Sequence, residues 1–216
     1  MRKHPVRVGI VDSGINPRDP QVVAIAGGIG IRFRDGRIER DSSWDDLLGH
    51  GTAVAATIRG HAPRASLYSI RVFHRRLEAH VEALLDAIHW AAEQKLDLLN
   101  LSLGCRRPER EKDFAGACDR ASAAGVVVVS ADPASGAISI AADYALEEDE
   151  IRFGGDRLLA SPWARRRGEL PREKNFHGTS FAVAHVTGIA ARLMEEDDQV
   201  TGSSLREALA RKASRP

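Results

Sequence analysis

Short apolar runs rich in β-branched residues alternate along the chain with longer segments of helical character. The runs are apolar at successive positions, which is typical of strands in a parallel sheet that is covered on both faces. Strands are therefore predicted over Val6–Val11, Val22–Ile31, Ser66–Phe73, Leu96–Leu103, Val126–Val129 and Ala137–Ala142.

The segments between these runs predict helices. Apolar residues recur every three or four positions in two of them, a third is short and amphipathic, and the fourth is apolar or small almost all round. The predicted helices are Arg76–Lys95, Lys112–Ala124, Ser203–Lys212 and Ser180–Glu195. Strand and helix in repetition mean βαβ units with right-handed crossovers. We therefore expect a three-layer, doubly wound α/β fold, with a mainly parallel sheet and helices on both faces.

The composition fits a single domain over residues 1–216. A chain of 216 residues, of which 43% are hydrophobic, carries enough apolar surface for one full core. Its 31 Lys and Arg residues nearly balance its 30 Asp and Glu residues, and the net charge is +1. Because no global positive field attracts polyanions, nucleic-acid binding is not predicted.

Membrane association and secretion are not predicted either. No apolar run reaches the roughly 20 residues of a spanning helix. The first residues, MRKHPVRVGIVDSG, lack the apolar core that is typical of a signal peptide. The two cysteines, Cys105 and Cys118, cannot form a disulfide framework, and no CxxC motif is present. We therefore expect a cytoplasmic protein.

Three short segments carry residues with catalytic potential. Asp12 ends the first predicted strand in VGIVDSGI, at the edge where open α/β sheets collect catalytic groups. His50 lies between two glycines in GHGTAVAA and opens a helix of small residues. Ser180 lies in HGTSFAVAHVTG, where it opens the apolar helix. Asp, His and Ser are the orienting acid, the base and the nucleophile of an acyl-transfer triad.

These three residue types suit that chemistry for physical reasons. A serine hydroxyl is a poor nucleophile, so a histidine has to take its proton, and a buried carboxylate has to fix the tautomer of that histidine. At a helix N-terminus, the backbone N–H of Ser180 and the helix dipole both favour negative charge on the reacting oxygen. Taken singly, Asp12, His50 and Ser180 also fit plain structural roles in a turn, in packing or as a helix cap.

The order Asp12, His50, Ser180 within DSG, HGT and GTS resembles the subtilisin-like serine proteases. The resemblance covers nearly the whole chain, because three intervening segments are also similar, namely His61–Phe73, Leu98–Gly104 and Ala124–Ala131. It implies a subtilisin-like fold and a triad in which Asp12 orients His50 and Ser180 forms the acyl-enzyme. It also implies that extended substrate pairs with the backbone of Leu101, Ser102, Leu103 and Gly104.

The chain departs from the family pattern at the oxyanion site. The family carries an Asn just after the VVV strand, whereas this chain reads SADPASG over Ser130–Gly136. Asp132 is the nearest replacement; it would donate a hydrogen bond when protonated and repel an oxyanion when ionised. The Thr179 hydroxyl is the other candidate donor. Loss of one such donor costs a factor of about 10²–10³ in rate.

Two further features of the family are missing from the sequence. The helix after His50 reaches Ala62 without the calcium-binding loop that interrupts it in the family, and no acidic cluster with EF-hand spacing replaces that loop. We therefore expect no metal and no cofactor. The first predicted strand begins so early that we expect no propeptide, which favours a processing or regulatory role over bulk degradation.

Two functions remain open on the sequence alone. The first is a cytoplasmic serine endopeptidase that cuts a specific peptide or protein substrate. The second is a pseudoprotease that binds a peptide or a partner in the same groove with weak or no turnover, because the usual oxyanion Asn is missing. The sequence predicts neither the substrate sequence nor the oligomeric state.

Overall fold

The computed structural model describes residues 4–102, 108–130, 138–139, 146–147, 150–153, 156–157 and 179–213. The strands are β1 (Arg7–Asp12), β2 (Ile25–Arg34), β3 (Arg37–Asp41), β4 (Ser66–Arg71), β5 (Leu98–Leu101), β6 (Val127–Ser130), β7 (Ile138–Ser139), β8 (Leu146–Glu147), β9 (Glu150–Phe153) and β10 (Asp156–Arg157). The helices are α1 (His50–His61), α2 (Val81–Glu93), α3 (Glu111–Ala123), α4 (Thr179–Glu196) and α5 (Gly202–Ala213), and a short 3₁₀ turn at Pro108–Arg110 precedes α3. Within these residues, no helix combines the length and apolarity that a membrane crossing requires.

A seven-stranded sheet forms the middle layer, in the order β3-β2-β4-β1-β5-β6-β7. Its neighbouring strands are parallel, except that β2 and β3 form an antiparallel hairpin at one edge. Strands β8, β9 and β10 form a separate small antiparallel sheet. Strand β1 lies between β4 and β5, so its last residue, Asp12, has a strand end on each side. The carboxyl ends of parallel strands are where such sheets bind their ligands.

Helices cover both faces of the sheet. Helices α1, α4 and α5 enclose one core, which includes Val8 and Ile10 of β1 and Phe181 of α4. Helices α2 and α3 enclose the other core, which includes Val11 and Leu99. Because successive strand residues point to opposite faces, β1 fills both cores, and this is why it reads as a continuous apolar run. The predicted three-layer α/β fold is confirmed.

The sequence prediction was wrong about the start of one helix and about one edge strand of the sheet. Helix α2 begins at Val81 and not at Arg76, because the chain first has to pass from the end of β4 to the outer layer. Strand β3 was not predicted at all. All five residues of Arg37–Asp41 are exposed, so the strand has no apolar alternation to reveal it.

Strand β2 was predicted over Val22–Ile31 but begins at Ile25 and continues to Arg34, with a register irregularity between Ile25 and Gly27. Of the predicted strand Ala137–Ala142, only β7 lies within the described residues, where it pairs with β6. The parallel core of the sheet was therefore predicted more accurately than its edge.

Helices α1 and α4 approach each other closely at Gly188. A Cβ atom at this position would lie 2.8 Å from the Cβ of His61, so a larger side chain would force the helices apart. Next to this contact, His61 Nε2 lies 2.7 Å from Nδ1 of His185. Burial, followed by the nearby charge of His185, lowers the pKa of His61 to about 4, and its ring is therefore neutral at pH 7. Since His50 and Ser180 lie at the first turns of these two helices, the packing also sets their relative position.

Candidate active site

A buried carboxylate–imidazole pair lies where β1 ends and α1 begins. Asp12 is the last residue of β1 and has no solvent exposure, and His50, the first residue of α1, is 6% exposed. His50 Nδ1 lies 2.8 Å from Oδ1 and 2.9 Å from Oδ2 of Asp12, so its N–H donates to the carboxylate. This hydrogen bond leaves Nε2 as the ring nitrogen that is able to accept a proton.

Backbone groups hold Asp12 in this position. The N–H of Ser13 donates to Asp12 Oδ1 at 2.7 Å. The N–H groups of Val72 and Phe73, just beyond β4, donate to the Asp12 carbonyl oxygen at 2.9 and 3.2 Å. Hydrogen bonds to a carboxylate are stronger than bonds between neutral groups, so the orientation of Asp12 is well determined.

The glycines on either side of His50 have separate structural reasons. Gly49, the N-cap of α1, has a φ of 86°, a left-handed conformation that favours glycine. Gly51 faces the end of β1, where an added Cβ would lie 3.1 Å from the Cβ of Asp12 and closer still to the carbonyl oxygen of Gly14. The first turn of α1 can therefore approach β1 closely enough for His50 to reach Asp12.

A second carboxylate, Asp46, organises the start of α1. It accepts five hydrogen bonds at 2.6 to 2.9 Å, from the Ser13 hydroxyl, the N–H groups of Leu48, Gly49 and Thr52, and the Thr52 hydroxyl. The N–H of Gly51 in turn donates to the Ser13 Oγ at 2.9 Å. Asp46 therefore satisfies N–H groups that the first turn of a helix leaves unpaired, and it joins that turn to the residue after Asp12.

The charges around His50 change its pKa. Burial is the largest single effect and opposes protonation, but the charge of Asp12, the hydrogen bond to it and the charge of Asp46 together outweigh burial. The pKa of His50 is therefore raised above its ordinary value. A histidine that acts as a base must be neutral, so activity that depends on His50 should fall as the pH drops through this raised pKa.

Asp46→Asn should move that acidic limb to lower pH. Removing the negative charge disfavours the imidazolium form of His50, and its pKa should fall. The NH₂ group of the asparagine would also face N–H and O–H groups that now donate to Asp46, and it cannot accept their hydrogen bonds. This loss should lower the free energy of unfolding by about 1–3 kcal/mol. The pH profile of kcat/KM and urea unfolding measure the two effects.

Asp45→Asn provides the matched control, because Asp45 is the exposed carboxylate next to Asp46. It removes the same charge without removing any of the five hydrogen bonds to Asp46. It should therefore change neither the acidic limb of the pH profile nor the free energy of unfolding appreciably. An acidic limb at the same pH in Asp46→Asn and the natural protein would contradict the proposed electrostatic effect of Asp46.

Ser180 lies in the first turn of α4 and is hydrogen-bonded to Ser102, the residue that directly follows β5. Its hydroxyl donates to the carbonyl oxygen of Ser102 at 2.9 Å, and the Ser102 hydroxyl donates to the Ser180 carbonyl oxygen at 3.2 Å. Buried Asn100 supports this link, because its amide donates to Ser102 Oγ at 2.6 Å and its oxygen accepts the Thr187 hydroxyl at 2.9 Å. The start of α4 is thus fixed to the central sheet.

Phe181, the residue after Ser180, packs directly against His50. The ring of Phe181, which is fully buried, lies 5.4 Å from the ring of His50 between centroids. The structure therefore brings Asp12, His50 and the Ser180 segment together at the carboxyl ends of the central parallel strands. The single hydroxyl hydrogen of Ser180 is directed at Ser102, so its transfer to His50 requires the hydroxyl to turn away from that carbonyl.

Several predicted site residues lie outside what the structure describes. Leu103, Gly104 and Asp132 are among them, as is the side chain of Thr179, and their roles remain predictions. Leu101 ends β5, Ser102 directly follows it, and both residues are buried. That placement suits a role of their backbone, and their part in substrate binding also remains a prediction.

Asp46 and Asn100 were not singled out from the sequence. Asp46 did carry a signal, since an Asp shortly before a small-residue helix is a common helix-capping residue. Asn100 carried none, because only the fold brings it against Thr187.

Neither a metal centre nor a reactive thiol is found among the described residues. Within them, no group of three or more His, Cys, Asp or Glu side chains is placed to hold a metal ion. Cys118 is buried in the core under α3, and burial raises its pKa to about 12. A thiol with so high a pKa is not nucleophilic near neutral pH.

The fold and the site geometry agree with the family to which the sequence is similar. The subtilase family matches residues 3–136 and 155–216, and the chain belongs to that family. It is a subtilisin-like serine protease, a hydrolase whose substrates are peptides or proteins. The resemblance noted from the DSG, HGT and GTS motifs is confirmed.

Individual relatives agree with this assignment. Subtilisin DY of Bacillus licheniformis is 29% identical, and the aligned part covers 97% of this chain and 84% of that protein. Subtilisin E of Bacillus subtilis (strain 168) is 27% identical over 94% of this chain, but the chain spans only 59% of its length. A crystal structure of a cold adapted subtilisin-like serine proteinase superposes with a TM-score of 0.64 at 19% identity, covering 94% of this chain and 80% of the other. This structural likeness supports the fold.

Proposed function

We propose that the protein is a serine endopeptidase that hydrolyses peptide bonds through Asp12, His50 and Ser180. The observation that carries the proposal is the buried pair of Asp12 and His50, with Nδ1 and Oδ1 2.8 Å apart, in a chain of the subtilase family. The hydrogen bond fixes the tautomer that a general base needs. Ser180, at the N-terminal turn of the neighbouring helix α4, supplies the nucleophile.

The proposed reaction has two halves. Ser180 Oγ attacks the substrate carbonyl carbon while its proton passes to His50 Nε2, and that proton then goes to the departing amine as the acyl-enzyme forms. Water attacks the acyl-enzyme, gives its proton to the same nitrogen, and releases the acid as Ser180 recovers its hydrogen. The N–H groups and dipole of the α4 N-terminus stabilise the negative oxygen, and Asp132 and Thr179 are the further candidate donors.

A more specific role is also proposed. The substrate would be one peptide or protein, paired in extended form with the backbone of Leu101–Gly104, and the protein would act as a processing enzyme in the cytoplasm. A chain with only two cysteines and no disulfide framework suits a reducing compartment. One relative in Bacillus subtilis is named a minor extracellular protease, so cell fractionation is the measurement that separates the two locations.

Labelling with a fluorophosphonate probe tests the proposed nucleophile without knowledge of the substrate. The natural protein should be labelled near pH 8, because the probe reacts with a serine that a histidine has activated. Ser180→Ala should lose all labelling, whereas Ser122→Ala, which removes an exposed hydroxyl on α3, should keep it. Mass spectrometry of the labelled peptide locates the modified residue.

Two results would contradict the proposal. One is unchanged labelling of Ser180→Ala, which would place the reactive hydroxyl elsewhere. The other is no labelling of the natural protein while circular dichroism shows an intact fold. That second result would restore the pseudoprotease hypothesis, which family membership does not favour.

A further inference from the structure

A cleft of about 670 Å³ opens between β2 and the chain that follows β4. One wall is the end of β2, with Arg32 and Arg34, and the other is the segment that leads from β4 to α2, with His74, Arg75 and Arg76. This volume is within the range of about 300–1,000 Å³ that is typical of ligand sites.

The charge of the cleft is strongly positive. Four arginines and a single carboxylate, Glu78, line it, which gives a formal charge of +3 with its histidines neutral. Arg76 lies 4.0 Å from Glu78, with both side chains more than three-quarters exposed. Arg34 lies 3.7 Å from Asp35 in a similarly exposed pair. Exposed pairs of this kind neutralise little, since solvent screens them.

Two of the lining arginines have no carboxylate partner among the residues that the structure describes. Arg75 is exposed there, and Arg32 donates from Nε to Nδ1 of His74 at 3.1 Å. The opposite ring nitrogen of His74 donates to the Ile31 carbonyl oxygen at 2.9 Å. Burial is the main reason that the pKa of His74 is lowered, and Arg32 lowers it further, so the arginines supply the positive charge.

The cleft adjoins the catalytic pair through two of its other lining residues. The N–H of Val72 donates to the carbonyl oxygen of Asp12 at 2.9 Å. Leu47, which is 61% exposed, lies three residues before His50. These two residues link the cleft to the catalytic pair, and a polypeptide bound at His50 would extend from there toward the arginines.

We infer that this cationic cleft binds an acidic segment of the polypeptide substrate, next to the bond that is cut. The inference rests on the proposed function, because a protease makes a polypeptide the relevant anion. Charge complementarity supplies the attraction, and the exposed apolar surface of Leu47 contacts the chain between its acidic side chains. The formal charge of +3 in this cleft exceeds the net charge of +1 of the whole chain.

Binding to Ser180→Ala tests the cleft independently of turnover. Two fluorescein-labelled octapeptides, (Gly-Glu)₄ and (Gly-Gln)₄, are compared by fluorescence anisotropy at low salt. We expect the glutamate peptide to bind about tenfold more tightly, and we expect the difference to shrink at 0.5 M NaCl because salt screens exposed charges.

Arg75→Gln combined with Arg76→Gln should remove most of this preference and leave (Gly-Gln)₄ binding unchanged. Arg120→Gln combined with Arg211→Gln, two exposed arginines on α3 and α5, removes the same charge elsewhere and should keep the preference. Equal binding of the two peptides to the unsubstituted cleft, or an undiminished preference in the Arg75 and Arg76 variant, would overturn the inference.

A single-stranded DNA octamer separates peptide recognition from general polyanion binding. Binding of the octamer that is at least as tight as that of (Gly-Glu)₄, with the same dependence on Arg75 and Arg76, would overturn the assignment to an acidic peptide. Because these measurements use Ser180→Ala, they leave the proposed function to the labelling experiment, and each can fail without the other.

Discussion

Asp12→Asn is expected to lower kcat by about 10⁴ with little change in the fold. Both carboxylate oxygens of Asp12 lie within 2.9 Å of His50 Nδ1. An amide in the same place turns its NH₂ group toward the ring, so Nδ1 becomes the acceptor and Nε2 carries the hydrogen. A ring in that tautomer cannot take the Ser180 proton. Cleavage of a fluorogenic peptide and the rate of fluorophosphonate labelling should fall together.

Asp97→Asn is the control for this experiment. Asp97, just before β5, accepts the backbone N–H of Arg7 at 2.8 Å, so the substitution removes a carboxylate that is hydrogen-bonded to the opposite end of β1, far from His50. It should lower stability by about 0.5–1.5 kcal/mol and leave kcat unchanged. A loss of less than tenfold in Asp12→Asn would show that His50 does not depend on Asp12 for its tautomer.

The centre of the fold could be predicted because burial dictates its sequence. Strands β1, β4, β5 and β6 lie in the middle of the sheet between helices, and that environment favours apolar residues at most positions. Burial imposes no such pattern at the edge. Strand β3 consists of exposed, mostly charged residues, and it exists because the chain turns at Asp35 and Gly36, both with positive φ. An Asp-Gly pair is a common hairpin turn and was the available signal for β3.

The candidate site also has residues that the sequence predicts and residues that it does not. Asp12, His50 and Ser180 could be identified because each stands in a short motif whose neighbours permit a tight turn or a helix start. Some of the groups that hold these residues in place, however, are distant from them in the chain. Asn100 contacts Thr187 only when α4 packs on β5, and no local sequence pattern encodes that contact.

Gly51→Ala should be the most damaging conservative substitution near the site. Alanine normally stabilises a helix relative to glycine by about 1 kcal/mol. At Gly51, the added Cβ has no space, because the Gly14 carbonyl oxygen and the Cβ of Asp12 already occupy it. We expect a net loss of about 1–3 kcal/mol from overpacking. We also expect a fall of about 10² in kcat/KM, because the first turn of α1 must move His50 away from Asp12.

Gly60→Ala isolates the steric effect from helix propensity. Gly60 lies in the same helix, is exposed, and has no atom within 4 Å of the position of an added Cβ. This substitution should raise the free energy of unfolding by about 0.4–1 kcal/mol and leave kcat/KM unchanged. Urea unfolding and peptide cleavage measured on both variants give the comparison. If Gly51→Ala were as stable and as active as Gly60→Ala, the close contact between α1 and β1 would not be what holds His50 against Asp12.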